Sequence, residues 1–489
     1  AVCIGDSIHI LTIFYQRLDE GISKRDAIVA ALEHSGLAVM MTTLTTAVGL
    51  GSFVFAELEP LVELGTVAPL GVVLAFAYSV VLLPALLALL PVKGRAGAST
   101  RGPSASDRLL AAVGTFASTR PWPVVGVWCV VLVASIWGAA QLEIAHRPLE
   151  WFPEHHPTRI AALTTNEALQ GFMPLEIIID TGVENGLYEP EVLRRIAAVQ
   201  EFARTAQVNG INVGQAISLV DILKETHRAL NANDPAYYAV PDNRELVAQE
   251  LLLFENSGSD DLEELVDSQF QKARVRLFVT YNDGLLYLDL VRAINDGARE
   301  IMGEHASIQT TGLVELWLHT IDAMLISTFR SYSIALAVIA PLMILLIGSV
   351  RLGLLSLIPN LAPIIIGMAV MAGLGIHFDM FTMMIGTITI GIAVDDTIHF
   401  MHGFRRRYRA SHDATRAVRD TLLTTGRALL VTSLVLCAGF AVQMFGDMQS
   451  TRNVGMITAV TIMAALLADI VLSPALVTLA TRRAERRLR

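Results

Sequence analysis

GIAVDDTIHF, residues 391–400, carries two adjacent carboxylates, Asp395 and Asp396, near the inner end of an otherwise uncharged apolar run. Ionisable groups inside such a run are costly to bury and mark function. The stretch has a partner at the other end of the chain, CIGDSIHIL, residues 3–11. An offset of 390 lays Asp6 on Asp396, Ser7 on Thr397, Ile8 on Ile398 and His9 on His399. The same offset pairs Gly36 with Gly426, Thr42 with Thr432, Gly49 with Gly439, Phe55 with Phe445, Gly65 with Gly455, Pro84 with Pro474 and Ala85 with Ala475. Glycines and prolines kept at one offset across several segments imply a duplicated membrane unit of the parallel-repeat kind used by transporters.

Composition agrees. With 53% hydrophobic and 17% charged residues, the chain lies outside the range of soluble globular proteins and reads as polytopic α-helical. Eight complete apolar runs of bilayer length lie near 37–56, 64–91, 121–142, 331–350, 352–376, 380–403, 428–446 and 454–480, besides the run that opens the chain. Prolines 69, 84, 341, 359, 363 and 474 interrupt several of them, which neighbouring helices make tolerable. Cys3, Cys129 and Cys437 fall within apolar runs, spaced neither for a metal nor for a disulfide, and read as packing residues.

The first residue is not Met, and no signal peptide precedes the opening run. The chain is therefore expected to start inside a membrane helix, as a partial reading frame. A uniform repeat would place about 270 further residues ahead of it.

Basic loops set the expected orientation. Arg405, Arg406, Arg407, Arg409, Arg416, Arg419 and Arg427, with the tail arginines of 482–489, are placed in the cytoplasm. The acidic loop 57–63 and the near-neutral loop 447–453 face outward, which puts 92–120 inside. The Gly/Ser/Arg-rich stretch at 93–103 makes that segment a flexible linker. The expected organisation is 1–91 as the end of one repeat, 92–120 as linker, 121–141 as the first helix of the second repeat, 142–329 as an extracytoplasmic domain, 330–481 as further spans and 482–489 as a basic tail.

Residues 141–329 hold 29 acidic against 13 basic residues, which gives no support to nucleic-acid binding and suits a solvated domain. LEIIID (175–180) reads as a strand followed by a helix over 189–207; RVRLFVTY (274–281) reads as a strand leading to a helix over 287–304 and a strand at 307–311. Two strand–helix–strand units suit a split ferredoxin-like α/β domain, with a mainly helical insertion at 215–270. His155 and His156, in FPEHHP, lie beside Glu154 without nucleophile or metal spacing; they read as exposed loop residues, and no enzyme reading survives.

Asp395 and Asp396, desolvated and adjacent, should titrate as a coupled pair suited to proton exchange. His399 lies one turn on and either passes protons or sits at the membrane edge. Thr42, Thr43, Thr45, Thr46, Thr432 and Ser433 supply hydroxyls at depth, with Thr42 and Thr432 expected to face the carboxylates. Gly386 and Gly391 are expected to let helices approach closely. Asp469 is a further acid within a span, opposite Ser79 of the first repeat; a relay place and a vestibule place both stand open. The second-half spans contain no intramembrane Lys or Arg to pair with these acids.

A paired-Asp motif in the fourth helix of a six-helix unit, a large insert after the unit's first helix and an end-to-end duplication resemble the resistance-nodulation-division (RND) superfamily of transporters. DDTIHF with GDSIHI and FPEHHP is most similar to its MmpL-like, sterol-sensing-domain-related branch of lipid and hopanoid exporters. The resemblance implies an RND-type fold of duplicated six-helix units, in a multi-pass protein of the bacterial inner membrane. It implies export of lipids or other hydrophobic molecules driven by proton influx, with a relay of Asp6, Asp395 and Asp396; the residues' own placement adds His9, His399, Thr42, Thr432 and Ser433 as expected support. Neither cofactor, metal nor nucleic acid is expected; membrane lipids, hydrophobic small molecules, protons and a further copy of the chain are the expected partners. The alternatives are a lipid- or sterol-sensing protein and an auxiliary of protein translocation. Gly5 stands where the second copy has Asp395, and the relay lysine of the drug-efflux branch is absent, which argues against a multidrug pump.

Overall fold

The computed structural model describes residues 2–92 and 104–488, without side-chain detail for residues 2, 3 and 482–488. The expected linker at 93–103 and the side chains of the basic tail lie outside what is described. The chain forms two compact units, a helical one of Ala1–Ile144 with Ala323–Arg489, and a sheet domain, Ala145–Asp322.

The helical unit opens with α1 (Val2–Asp19), α2 (Lys24–Gly51) and α3 (Glu59–Ala77). A π turn at Tyr78–Leu82 joins α3 to α4 (Leu83–Leu89). Pro84 is its cause: lacking an N–H and crowding the carbonyl four residues back, it makes the helix widen locally rather than break.

The linker reading of 92–120 needs correction, because α5 (Ala105–Thr119) occupies much of it. Ser104 and Asp107 form a reciprocal capping box, and Leu110 is fully buried in the membrane-unit core. Arg427 pairs with Asp107. The box and the apolar residues three and four apart were visible in the sequence, masked by the Gly/Ser-rich stretch before them. α6 (Pro121–Ala139) follows. Cys129, on α6, is exposed rather than packed, whereas the Cys437 thiol reaches the carbonyl of Ala459 at 3.4 Å.

The sheet domain contains α7 (Pro157–Leu169), β1 (Met173–Asp180), α8 (Pro190–Thr205), β2 (Gln207–Val208), β3 (Ile211–Ile217), α9 (Leu219–Leu230), α10 (Arg244–Glu255), β4 (Lys272–Val279), α11 (Tyr287–Met302) and β5 (Ser307–Thr311). Its sheet runs β2-β3-β4-β1-β5, with every neighbouring pair antiparallel. Setting aside the short β2, strand β4 lies between β1 and β3, which is the split βαβ arrangement of a ferredoxin-like domain. β1 buries Leu175, Ile177 and Ile179 on one face, in register with Leu277, Val275 and Ala273 of β4. Ile196 and Val199 of α8 and Leu290 and Ile294 of α11 join them in one core. Each such apolar side chain contributes about 1.5–3 kcal/mol by leaving water.

Two corrections apply here. The insertion does not begin at 215, since INVGQAI is β3, whose Gly and polar residues blur the alternation. His156 is not a free loop residue: its Nδ1 accepts from the Thr158 amide at 3.3 Å and caps α7.

After α6 and the sheet domain, the second repeat continues with α12 (Leu313–Ile347), α13 (Val350–Leu355), α14 (Leu357–Gly373), α15 (Met383–Ser411), α16 (Ala414–Ala441), α17 (Gln449–Leu467) and α18 (Ser473–Leu488). α12 begins well before the apolar run expected at 331. The duplication is geometric as well as sequential. α2, the 3-10 turn Ser52–Phe55, α3 and the π turn Tyr78–Leu82 reappear 390 residues on as α16, Val442–Phe445, α17 and the π turn Ala468–Leu472. Eight of the described helical stretches are long and apolar enough to cross a membrane. Close approach rather than hydrophobic burial holds such helices together. At Gly65 an added Cβ would lie 2.5 Å from the Val54 nitrogen, and at the repeat-related Gly455 it would lie 2.6 Å from Gln443 and Phe440.

Candidate functional site

α15 is the central helix of the unit. Its apolar stretch is 83% buried, against 6% for α6. Small residues make this burial achievable. A Cβ on Gly386 would run into the Tyr332 hydroxyl, which donates to the Met383 carbonyl at 2.7 Å. Gly391 is less crowded, with 3.6 Å to Thr46 of the first repeat.

α15 packs on α2, and reciprocally α1 packs on α16, so the two DxIH stretches meet at the contact between repeats. The rings of His9 and His399 stack, with centroids 3.6 Å apart and planes 3° from parallel. A Cβ on Gly5 would stand 3.4 Å from Asp395 Oδ2, in van der Waals contact, so the residue that departs from the motif lies beside the other repeat's acid.

Four carboxyl groups are enclosed here. Thr42 Oγ1 lies 3.3 Å from Asp6 Oδ1 and also donates to the Val39 carbonyl at 2.9 Å. Ser433 donates to Asp396 Oδ2 at 2.9 Å. Asp395 Oδ1 lies 3.5 Å from His399 Nε2, yet neither atom is in a hydrogen bond, and His9 Nε2 is likewise unpartnered. Asp469, 1% exposed, accepts from Thr397 at 2.6 Å and Ser473 at 3.3 Å. Among the described residues no Lys or Arg pairs with any of the four.

The structure thus brings Asp6, Asp395, Asp396, His9, His399, Thr42 and Ser433 together. Thr432 donates to the Leu429 carbonyl at 3.0 Å, the same bond that Thr42 makes to Val39, without the further contact that Thr42 has with Asp6. The sequence assigned no metal ligands, yet Asp6, Asp395 and His399 each offer one atom within 4.8 Å of the others, a spacing that a small cation could bridge. Sequence spacing could not expose it, since the atoms come from different repeats.

Two cavities are formed by the same helices, neither of them lined by a carboxyl residue. A polar one of about 20 Å³, room for about one water, is lined by His9, His34, His399, His402, Thr424 and Thr425. His34 Nδ1 lies 2.7 Å from Arg406 at its basic end. An apolar cavity of about 480 Å³ lies among α6, α12, α14, α15 and α17, with Tyr332, Leu336, Met368, Met371, Ile385 and Ile457 on its walls.

Comparison with known proteins agrees with this architecture. A membrane protein of Methanocaldococcus jannaschii, MJ1562, is 28% identical over 157 residues, which is 31% of this chain and 40% of that protein. A crystal structure of SecDF in a super-membrane-facing form superposes with a TM-score of 0.55 at 12% identity, covering 99% of this chain and 54% of SecDF. The chain therefore spans about half the length of these proteins or less. Residues 7–128 and 196–489 match the model of the MMPL family. The chain belongs to the MMPL family and has the RND-type fold.

Proposed function

We propose that the protein is a transporter that uses the proton gradient to export lipids or other hydrophobic molecules. The observation that carries this reading is the set of carboxyls enclosed where the repeats meet, without a Lys or Arg to balance them. Structural ion pairs in membranes come with a base; acids without one suit reversible protonation. Charged, Asp6 and Asp395 repel across the contact; protonated, they do not. The two packings of one repeat on the other thus differ in stability with proton occupancy, which is the coupling a transporter needs.

The apolar cavity supports a hydrophobic cargo. Its volume falls in the range of small-molecule sites, and its walls offer alkyl and aromatic surface with few polar groups. We place the basic loops in the cytoplasm of a bacterial inner membrane and the sheet domain on the other side, where it would receive cargo. Proton exchange by these carboxyls, rather than chemistry on a substrate, is the proposed work of the site.

The test is proton-coupled lipid transport in proteoliposomes. Asp396→Asn should leave insertion and folding intact and abolish transport; transport at the full rate would refute the reading. A lipid sensor of the same architecture would bind lipid without flux. An auxiliary of protein translocation, the remaining alternative, would show a secretion defect on depletion while lipid flux stayed at background.

A further inference from the structure

We infer that Asp469 is a fourth proton-exchanging acid, whose charge state is read by a Thr397–Asn360 hydrogen-bond switch. The inference rests on the coupling reading above and extends it to a residue outside the DxIH motif.

The argument starts from one hydroxyl. Thr397 Oγ1 lies 2.6 Å from Asp469 Oδ1 and 2.6 Å from Asn360 Oδ1. A threonine hydroxyl has a single proton and can donate to only one of two acceptors. As placed, the Asn360 amide directs its oxygen at Thr397, while its Nδ2, in a side chain 3% exposed, has no partner. Two arrangements resolve the conflict. In one, Asp469 carries a proton and donates to Thr397, which donates to Asn360 Oδ1. In the other, the Asn360 amide is flipped and donates from Nδ2 to Thr397, which donates to a charged Asp469. The two differ by one proton, released to or taken from water, and by one amide flip, in which only the Asn360 oxygen and nitrogen exchange places.

The repeat singles out this acid. Ser7 and Ser79, the counterparts of Thr397 and Asp469, make the same contact at 3.1 Å with neutral groups alone. Both contacts involve the first turn of a π segment, a geometry often found at functional sites. The second repeat thus has an acid at a position where the fold is satisfied by serine.

The surroundings leave no other role for its charge. Ser473 is the neighbour from α18. Asp395 and Asp396 on α15 are close enough to interact electrostatically with Asp469. α6 and α14 bring no ionisable residue, and Asp107 of α5 is engaged with Arg427.

The experiment compares Asp469→Asn, Asp469→Glu and Asp469→Ser, the last matching the first repeat, with Asp396→Asn as reference. Reconstituted protein is followed by pH-difference infrared spectroscopy and by proton-coupled transport. Asp469→Asn should remove one protonated-carboxyl band, and Asn360→Leu should shift it. Transport by Asp469→Asn should fall about tenfold or more with an altered pH profile, and Asp469→Glu should restore both. An unchanged band together with an unchanged pH profile in Asp469→Asn would overturn the inference. If Asp396→Asn also transports normally, the coupling reading fails, and the infrared band still decides whether Asp469 exchanges a proton.

Discussion

The two copies of the motif share a backbone and differ in chemistry. α2 and α3 start and stop at positions that one offset relates to α16 and α17, down to the π turn before each proline. Yet among the described residues the first copy contributes one enclosed acid, Asp6, and the second contributes three, Asp395, Asp396 and Asp469. Gly5 is where the difference is largest, since the space beside it is taken by Asp395 of the opposite copy. A symmetric frame that holds its charge on one side responds unequally to protonation.

The largest effect should come from emptying the poorer copy. Asp6→Asn leaves three acids in the second repeat, and coupled transport should still fall about 100-fold, because Asp395 loses its opposite across the contact. Transport within a factor of two of the parent would mean that the second copy works alone.

Next come the glycines that the copies use alike. Gly65→Ala and Gly455→Ala meet backbone at similar distances, so each should destabilise by about 1–3 kcal/mol, read from thermal unfolding in detergent. A large difference between them would break the geometric equivalence.

Gly36 and Gly426 should then part company. Nothing lies within 4 Å of a Cβ at Gly36, whereas at Gly426 the Leu110 side chain of α5 is 3.2 Å away. Gly36→Ala should stabilise by about 0.5–1 kcal/mol through lower backbone entropy in the unfolded chain, and Gly426→Ala should fail to do so.

The smallest effect concerns the Arg427–Asp107 pair, for which the first repeat offers only Leu37. Burial tends to raise the Asp107 carboxyl, but bonds from Arg427 and Ser104 outweigh it and hold the group below the usual carboxylate range. Its folded value is thus lowered, so this contribution is present above the ordinary carboxylate range and is lost as pH falls through the lowered value. Arg427→Leu should speed hydrogen exchange in α5 at neutral pH and blunt its acid dependence; equal exchange in parent and variant would remove the pair from the account.

Much of this was legible in one dimension. A constant offset survives in a sequence because both repeats must form the same helices, and Pro84 with Pro474 mark the same π turn. Apolar length betrays spans, and alternation betrayed β1 and β4. β3 escaped because glycine and polar residues interrupt its alternation, and α5 escaped because a flexible-looking stretch precedes its capping box. Thr42 and Thr432 make the same bond to the carbonyl three residues back, at Val39 and Leu429, and only the contact of Thr42 with Asp6, which depends on packing between helices, sets them apart.

The sequence alone determined the duplication, the membrane spans and which helix carries the costly charges, since these depend on residue type and spacing along one chain. Only the tertiary structure decided which carboxyl faces which. The stacking of His9 on His399, the place of Asp395 beside Gly5 and the sharing of Thr397 between Asn360 and Asp469 all arise between segments remote in sequence. Distances of a few ångströms across such contacts are set by helix packing, and no spacing rule along the chain encodes them.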